Sequence, residues 1–267
     1  MVILNAMKTR SFYIFITIVF TLCLHLGCRP KAQVESNSAP SVSESIPEVI
    51  QKADALFKQR TDISNLREAI KTLAGARMSD NRNFEVEWKF AKFNYFLGRH
   101  TDDEKEKTTA FEKGREAGLI AVRMEPDKPD GHFWYAANLG ELSRMNPITI
   151  GLKSVGEIKA SMNKVIEIQP DYQNASAYDA LAQIELQTVL TGGKAEKSVE
   201  YLEKAVEIEK DNTSLRLHLA DAYLAVNRDA EARKQLDELL KMKPNADYIP
   251  EYNQDVAAAK KMLDTRF

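Results

Sequence analysis

The sequence predicts an all-α protein, a solenoid of antiparallel helix pairs. Past Glu48, apolar and small residues return at gaps of three and four, as they do when one face of a helix is buried. Helix-stopping prolines recur at intervals, and no useful length of chain alternates apolar and polar residues as a half-buried strand would. The composition is globular: of 267 residues, 44% are hydrophobic and 28% charged, with 11 Gly and 9 Pro, so disordered and fibrous classes are excluded. Lys plus Arg number 37 against 39 Asp plus Glu, a balance unlike the basic footprint of a nucleic-acid binder.

The first 27 residues read as an export signal. Lys8 and Arg10 precede the apolar run 11–27, which ends at Gly27 beside Cys28. Leu24-His25-Leu26-Gly27-Cys28 resembles a bacterial lipoprotein box, in which the cysteine thiol is lipidated and becomes the mature N-terminus. That resemblance implies a membrane anchor through a lipid on Cys28 and a body in the periplasm or cell envelope. An uncleaved transmembrane anchor and plain secretion remain the alternatives, because the apolar run is somewhat long for a signal. Residues 28–47 are rich in Ser, Pro, Ala and Glu and bury too little surface to order themselves, so they form a tether.

Residues 48–125 carry a looser helical pattern. Val49, Ala53, Leu56 and Phe57 mark one helix, Leu66, Ile70 and Leu73 a second, and Phe84, Trp88, Ala91 and Tyr95 a third. A fourth, around Phe111, Ala117 and Val122, closes on Met124-Glu125-Pro126. From 126 to 246 the pattern sharpens. Leu139-Gly140 follows the aromatic run Phe133-Trp134-Tyr135, and its partner helix runs through Met162 and Val165 to Pro170. Tyr178, Leu181, Ala182 and Glu185 precede Ser198, Leu202 and Ala205, with Gly192-Gly193 in a lengthened connection. Leu219, Ala220 and Tyr223 then pair with Ala232, Leu236 and Leu239, and Pro244 ends the unit. The stops Pro126, Pro170, Lys210 and Pro244 make the repeat increasingly regular toward the C-terminus. Four or five hairpins result, and residues 247–267 supply a final helix, Asp255 to Leu263, that caps the last exposed apolar face.

The unit from Thr213 to Ala246 resembles the tetratricopeptide repeat, whose consensus sets a large residue, Leu, Gly or Ala, Tyr, Ala, a large apolar residue, Ala and Pro over 34 residues. The resemblance implies a right-handed solenoid packed through Leu139, Gly140, Tyr178, Ala182, Leu202, Ala205, Leu219, Ala220, Tyr223, Ala232 and Leu236. It also implies a concave groove lined by the first helix of each pair. Carried over position by position, the groove holds Glu141 and Ala137, Asp179 and Gln183, and Leu217 and Asp221, with Trp134, Arg144, Leu186 and Leu224 one turn away. Such a surface suits a peptide or an amphiphilic ligand.

Catalytic combinations are nearly absent. His100, His132 and His218 lie far apart with no metal-ligand spacing, and Gly192-Gly193 lacks the residues of a phosphate loop. No enzyme activity, cofactor or metal is expected. One narrower resemblance rests on the leader, on 131–138 (GHFWYAAN), on Pro170-Asp171-Tyr172 and on the double glycine before Lys194-Ala195-Glu196. Together these look like the T-component family of bacterial TRAP-type transport systems. That family implies a periplasmic, membrane-attached repeat protein that forms homo-oligomers beside a solute-binding subunit. Two readings stand: a tethered, non-catalytic module that binds an envelope protein or peptide, and a transport accessory that holds a small apolar or amphiphilic solute. The second requires a cavity near Trp134, Tyr135 and Tyr178.

Overall fold

A computed structural model describes residues 44–245 and 248–267. The leader, Cys28 and nearly all of the tether lie outside the described residues. Among the described residues every regular element is helical, and no helix is long and apolar enough to cross a membrane.

Among the described residues eleven α-helices follow one another: α1 (Ile46–Lys58), α2 (Ile63–Gly75), α3 (Phe84–His100), α4 (Glu104–Met124), α5 (Pro129–Met145), α6 (Leu152–Ile168), α7 (Tyr172–Gln187), α8 (Ala195–Ile208), α9 (Thr213–Ala225), α10 (Asp229–Leu239) and α11 (Ile249–Arg266). Local chemistry sets their starts. The Ser45 backbone N–H donates to Glu48 Oε2 at 2.8 Å, so α1 begins at Ile46, inside the stretch expected to be tether. Asp62, Asn83, Asp103 and Asn212 each accept a first-turn backbone N–H of α2, α3, α4 and α9, an arrangement worth about 1 kcal/mol per helix. Stops follow the expected marks. α4 and α6 end two residues before Pro126 and Pro170, because proline forces Glu125 and Gln169 out of helical geometry. α8 stops equally far before Lys210, with Glu209 at φ −118° and ψ 79°, so the turn keeps this geometry without the ring.

Consecutive helices pack as the pairs α1/α2, α3/α4, α5/α6, α7/α8 and α9/α10, and α11 lies against α9 and α10. This is an all-α, helix-pair repeat architecture, a solenoid of paired helices. Two apolar cores run through it. One extends from Val49 to Leu181 and the other from Ala175 to Ala259. They meet at a backbone irregularity at the start of α7, where Gln173, Asn174 and Ala175 take φ of 48°, 56° and 59° in succession. Left-handed backbone costs an L-residue roughly 1–2 kcal/mol each. Here it is held by Tyr172, whose hydroxyl donates to Asp130 at 2.7 Å, and by Ala175, fully buried in the second core.

Most of the expected packing residues are buried: Leu139, Ala182, Leu202, Ala205, Leu219, Ala220, Tyr223, Ala232 and Leu236. Tyr178 is half-buried against the second core, its ring 6.4 Å from that of Tyr201. Gly140 is a correction. A Cβ built there meets open space, so it permits no close approach. Close-packing glycines are Gly98 of α3, against the Phe111 ring, Gly114 and Gly118 of α4, and Gly131 of α5. A Cβ at Gly118 would lie 2.6 Å from the Tyr135 backbone, and one at Gly131 2.7 Å from the Val122 nitrogen. Glycine therefore sets the α4–α5 distance. Between α2 and α3, fully buried Glu87 binds Arg77 at 2.9 Å and Arg82 at 2.8 Å, and the Arg77 guanidinium also covers the Phe90 ring at 4.2 Å.

Candidate peptide groove along the first helices

The first helices of the pairs form a row joined by side-chain contacts. Phe57 of α1 stacks on Phe93 of α3 at 4.3 Å, and Lys89 of α3 binds Asp54 of α1 at 2.7 Å. Tyr95 and Phe96 of α3 meet Trp134 of α5 at 5.6 and 6.1 Å, and Arg99 binds Glu141 at 2.9 Å. Phe133 of α5 meets Tyr172 of α7 at 5.5 Å, and Asp179 of α7 pairs with His218 of α9 at 2.8 Å. The residues expected to line a groove fall along this row. Glu141 is clamped between Arg99 and Arg144, the Arg144 guanidinium lying 3.0 Å away and largely exposed. Ala137, Asp179, Gln183, Leu186 and Leu224 are half-buried, and Asp221 is exposed.

Two of the expected groove residues belong to the interior. Trp134 is 3% exposed, enclosed by Tyr95, Phe96 and Phe133, because the aromatic run at the start of α5 packs inward against α3. Leu217 is 8% exposed within the second core, since α9 buries residues around most of its circumference.

Charge is distributed unevenly along the row. At the α1–α3 end, the Lys92 ammonium lies 5.0 Å from the Phe57 ring centroid and 5.7 Å from that of Trp134. The Arg60 guanidinium lies 4.9 Å from Phe57 and 5.4 Å from Phe96. Burial, and then the like charges of Lys89 and Arg60, push the Lys92 pKa down to about 8. At the α7–α9 end the balance is acidic. Burial pushes the His218 imidazole down, but Asp179, charged and hydrogen-bonded to it, outweighs burial and holds its pKa above the usual value. Partial desolvation by neighbouring side chains raises the Asp221 carboxyl, with His218 pulling the other way.

Sequence reasoning missed Lys92 and Arg60. The available signal was Lys92 itself, four residues after Trp88 and four before Phe96, a cation set into the aromatic stripe of α3. No group of three or more His, Cys, Asp or Glu side chains among the described residues is arranged to hold a metal ion. Two open hollows, one beside α1 and one between α8 and α10, touch none of the expected groove residues.

Helix pairs stacked in sequence, with a row of first helices offering charged and aromatic side chains, define a helix-pair repeat fold of the tetratricopeptide-repeat kind. Comparison with known proteins agrees on the fold. Residues 190–263 match the family described as tetratricopeptide repeat, and residues 49–178 match the family described as regulator of microtubule dynamics protein 1-3. The chain is 22% identical over 231 residues to regulator of microtubule dynamics protein 3 of Rattus norvegicus, covering 81% of this chain and 49% of that protein. It is 23% identical over 146 residues to the Bos taurus protein of the same name, covering 55% of this chain and 30% of that one. The chain thus spans half or less of the length of these relatives. Among solved structures, a thermophilic TPR protein of Thermus thermophilus, TTC0263, superposes with a TM-score of 0.56 at 18% identity, over 79% of this chain and 98% of that one. Pseudomonas aeruginosa pilF gives 0.54 at 15% identity, over 81% and 92%.

Proposed function

We propose that the protein is an envelope-tethered scaffold whose row of first helices binds an extended segment of a partner protein. The observation that carries this reading is the row of first helices: half-buried Ala137 on α5 and Asp179 and Gln183 on α7, flanked by charges of both signs. It offers hydrogen-bonding and apolar contacts together, and among the described residues no cluster of acidic, His or Cys side chains is arranged to hold a metal ion. The tether rests on the sequence alone, on the apolar run 11–27 and the Gly27-Cys28 junction. A body anchored through a lipid on Cys28 searches a membrane surface for its partner at raised effective concentration.

The transport-accessory reading is less favoured, because the space it requires near Trp134 and Tyr135 is filled. Both side chains are at least 95% buried, and the Tyr135 hydroxyl donates to Glu157. Photo-crosslinking tests the scaffold reading. A photoreactive residue at Ala137 or Gln183, in the full chain expressed in its native cell, is expected to capture a polypeptide that the same probe at Glu112 on α4 does not. Equal capture from both faces, or none from the inner row, rejects it. Cys28→Ser is expected to abolish labelling by a fatty-acid analogue, and retained label removes the lipid anchor.

A further inference from the structure

Most cations of the inner row are already matched. Lys89 is held by Asp54 and Glu85, and Arg99 and Arg144 share Glu141. Lys92 and Arg60 differ. Among the described residues neither makes an ion pair or a side-chain hydrogen bond, and both sit about 5 Å from the same Phe57 ring, which places the two charges within about 10 Å of each other. Phe93 covers one face of that ring, so the cations take up its remaining surface together with Phe96, and Lys92 also lies over the Trp134 ring.

Ring faces attract cations by roughly 0.5–2 kcal/mol, less than the desolvation of two like charges held close together. An uncompensated pair on an apolar ledge is therefore a receptor for an anion. The carboxylates whose charge acts on Lys92 are Asp54, already bound to Lys89, and Asp130, which accepts the Tyr172 hydroxyl. Neither reaches the ammonium within ion-pair distance.

From this ledge the row runs to the opposite charge: Asp179 beside His218, and exposed Asp221 one turn further along α9, which makes no ion pair among the described residues. Neighbouring helices stand about 8–10 Å apart. The path from α3 across α5 to the α7–α9 end is therefore about 20–30 Å, which an extended segment covers in about six to nine residues. We infer that the inner row takes an extended, dipolar segment of a partner protein. It seats an acidic side chain between Arg60 and Lys92, beside half-buried Phe96, and a basic side chain six to nine residues away beside Asp179 and Asp221.

This deepens the peptide-binding reading and rests on it. The test uses the purified full chain and nine-residue fluorescent peptides with blocked termini, so that only side chains carry charge. The peptides hold Glu and Arg at opposite ends, in both orders, around an apolar middle, and matched peptides carry Gln for Glu. One charge order is expected to bind, with Gln for Glu weakening it about tenfold, the cost of a lost charge-assisted hydrogen bond. Lys92→Gln and Arg60→Gln each erase that discrimination while the variants keep the parent helical spectrum. Lys92→Glu combined with Asp221→Lys shifts preference to the opposite charge order. Binding that ignores peptide charge but is blocked by Gln183→Trp overturns the dipolar assignment and leaves the peptide groove standing. Failure of every peptide to bind overturns the assignment as well, and the crosslinking result then decides the groove separately.

Discussion

Replacing Gly118 with alanine adds one methyl group where α4 and α5 are closest. The new Cβ would lie 2.6 Å from the Tyr135 nitrogen and Cα and 2.9 Å from its Cβ. Carbon atoms rest about 3.5–4.0 Å apart, so one helix must retreat by about 1 Å. Overpacking of this kind costs about 1–3 kcal/mol, and the upper part applies because the obstructing atoms belong mostly to backbone. Alanine returns up to about 1 kcal/mol in helix propensity. The net loss is about 2 kcal/mol. At about 2–4 °C per kcal/mol for a body of this size, the thermal midpoint falls by about 4–8 °C. Gly140→Ala is the control. It gains the same propensity in open space, so its midpoint rises by about 2–4 °C. Circular dichroism melts of the three proteins in one buffer read both shifts. An unchanged or raised midpoint for Gly118→Ala, or a fall for Gly140→Ala, refutes the glycine contact.

Glu87→Gln leaves Arg77 and Arg82 without their shared carboxylate inside the fold, and urea titration is expected to show a loss of about 3 kcal/mol with an unchanged slope. A loss below about 0.5 kcal/mol would mean that the two guanidinium groups are satisfied elsewhere. Lys92→Met should stabilise the protein near neutral pH, since below about pH 8 the lysine is charged in both folded and unfolded chains and the cost of burying it is fully present. Lys89 and Arg60 add to that cost, and Asp54 and Asp130 offset part of it. Between about pH 8 and the unperturbed lysine value the folded chain gives up its proton first. The advantage, about 1–2 kcal/mol at pH 7, therefore shrinks as pH rises, and an advantage constant from pH 7 to 10.5 contradicts the burial argument.

The helix pairs were legible because burial on one helix face writes a 3.6-residue period into the chain. Leu219, Ala220, Tyr223, Ala232 and Leu236 could be placed from spacing alone, and all are buried. The close-packing glycine was assigned to Gly140 by its position in the repeat, whereas the helices touch at Gly114, Gly118 and Gly131. Spacing shows which side of a helix is buried, but not how near the neighbouring backbone comes. Trp134 and Leu217 were misplaced for a related reason. Inner helices of a repeat are buried on more than one side, so a position facing the groove in a consensus unit turns inward where aromatic residues enlarge the core. The ledge at Lys92 and Arg60 escaped notice because its parts, Phe57, Arg60, Lys92, Phe96 and Trp134, come from three helices and the turn after α1 and meet only through the tertiary packing.

Each apolar core draws almost wholly on one continuous stretch of chain, and the left-handed turn at 173–175 falls at their seam. A chain emerging from a ribosome can therefore complete its first core while the residues of the second are still being synthesised, since few of the contacts in that core wait for later sequence. The seam then acts as a punctuation mark in biogenesis. Nascent chains that have emerged as far as Leu181 should already resist protease, and helices α8 to α11 should dock onto a finished template.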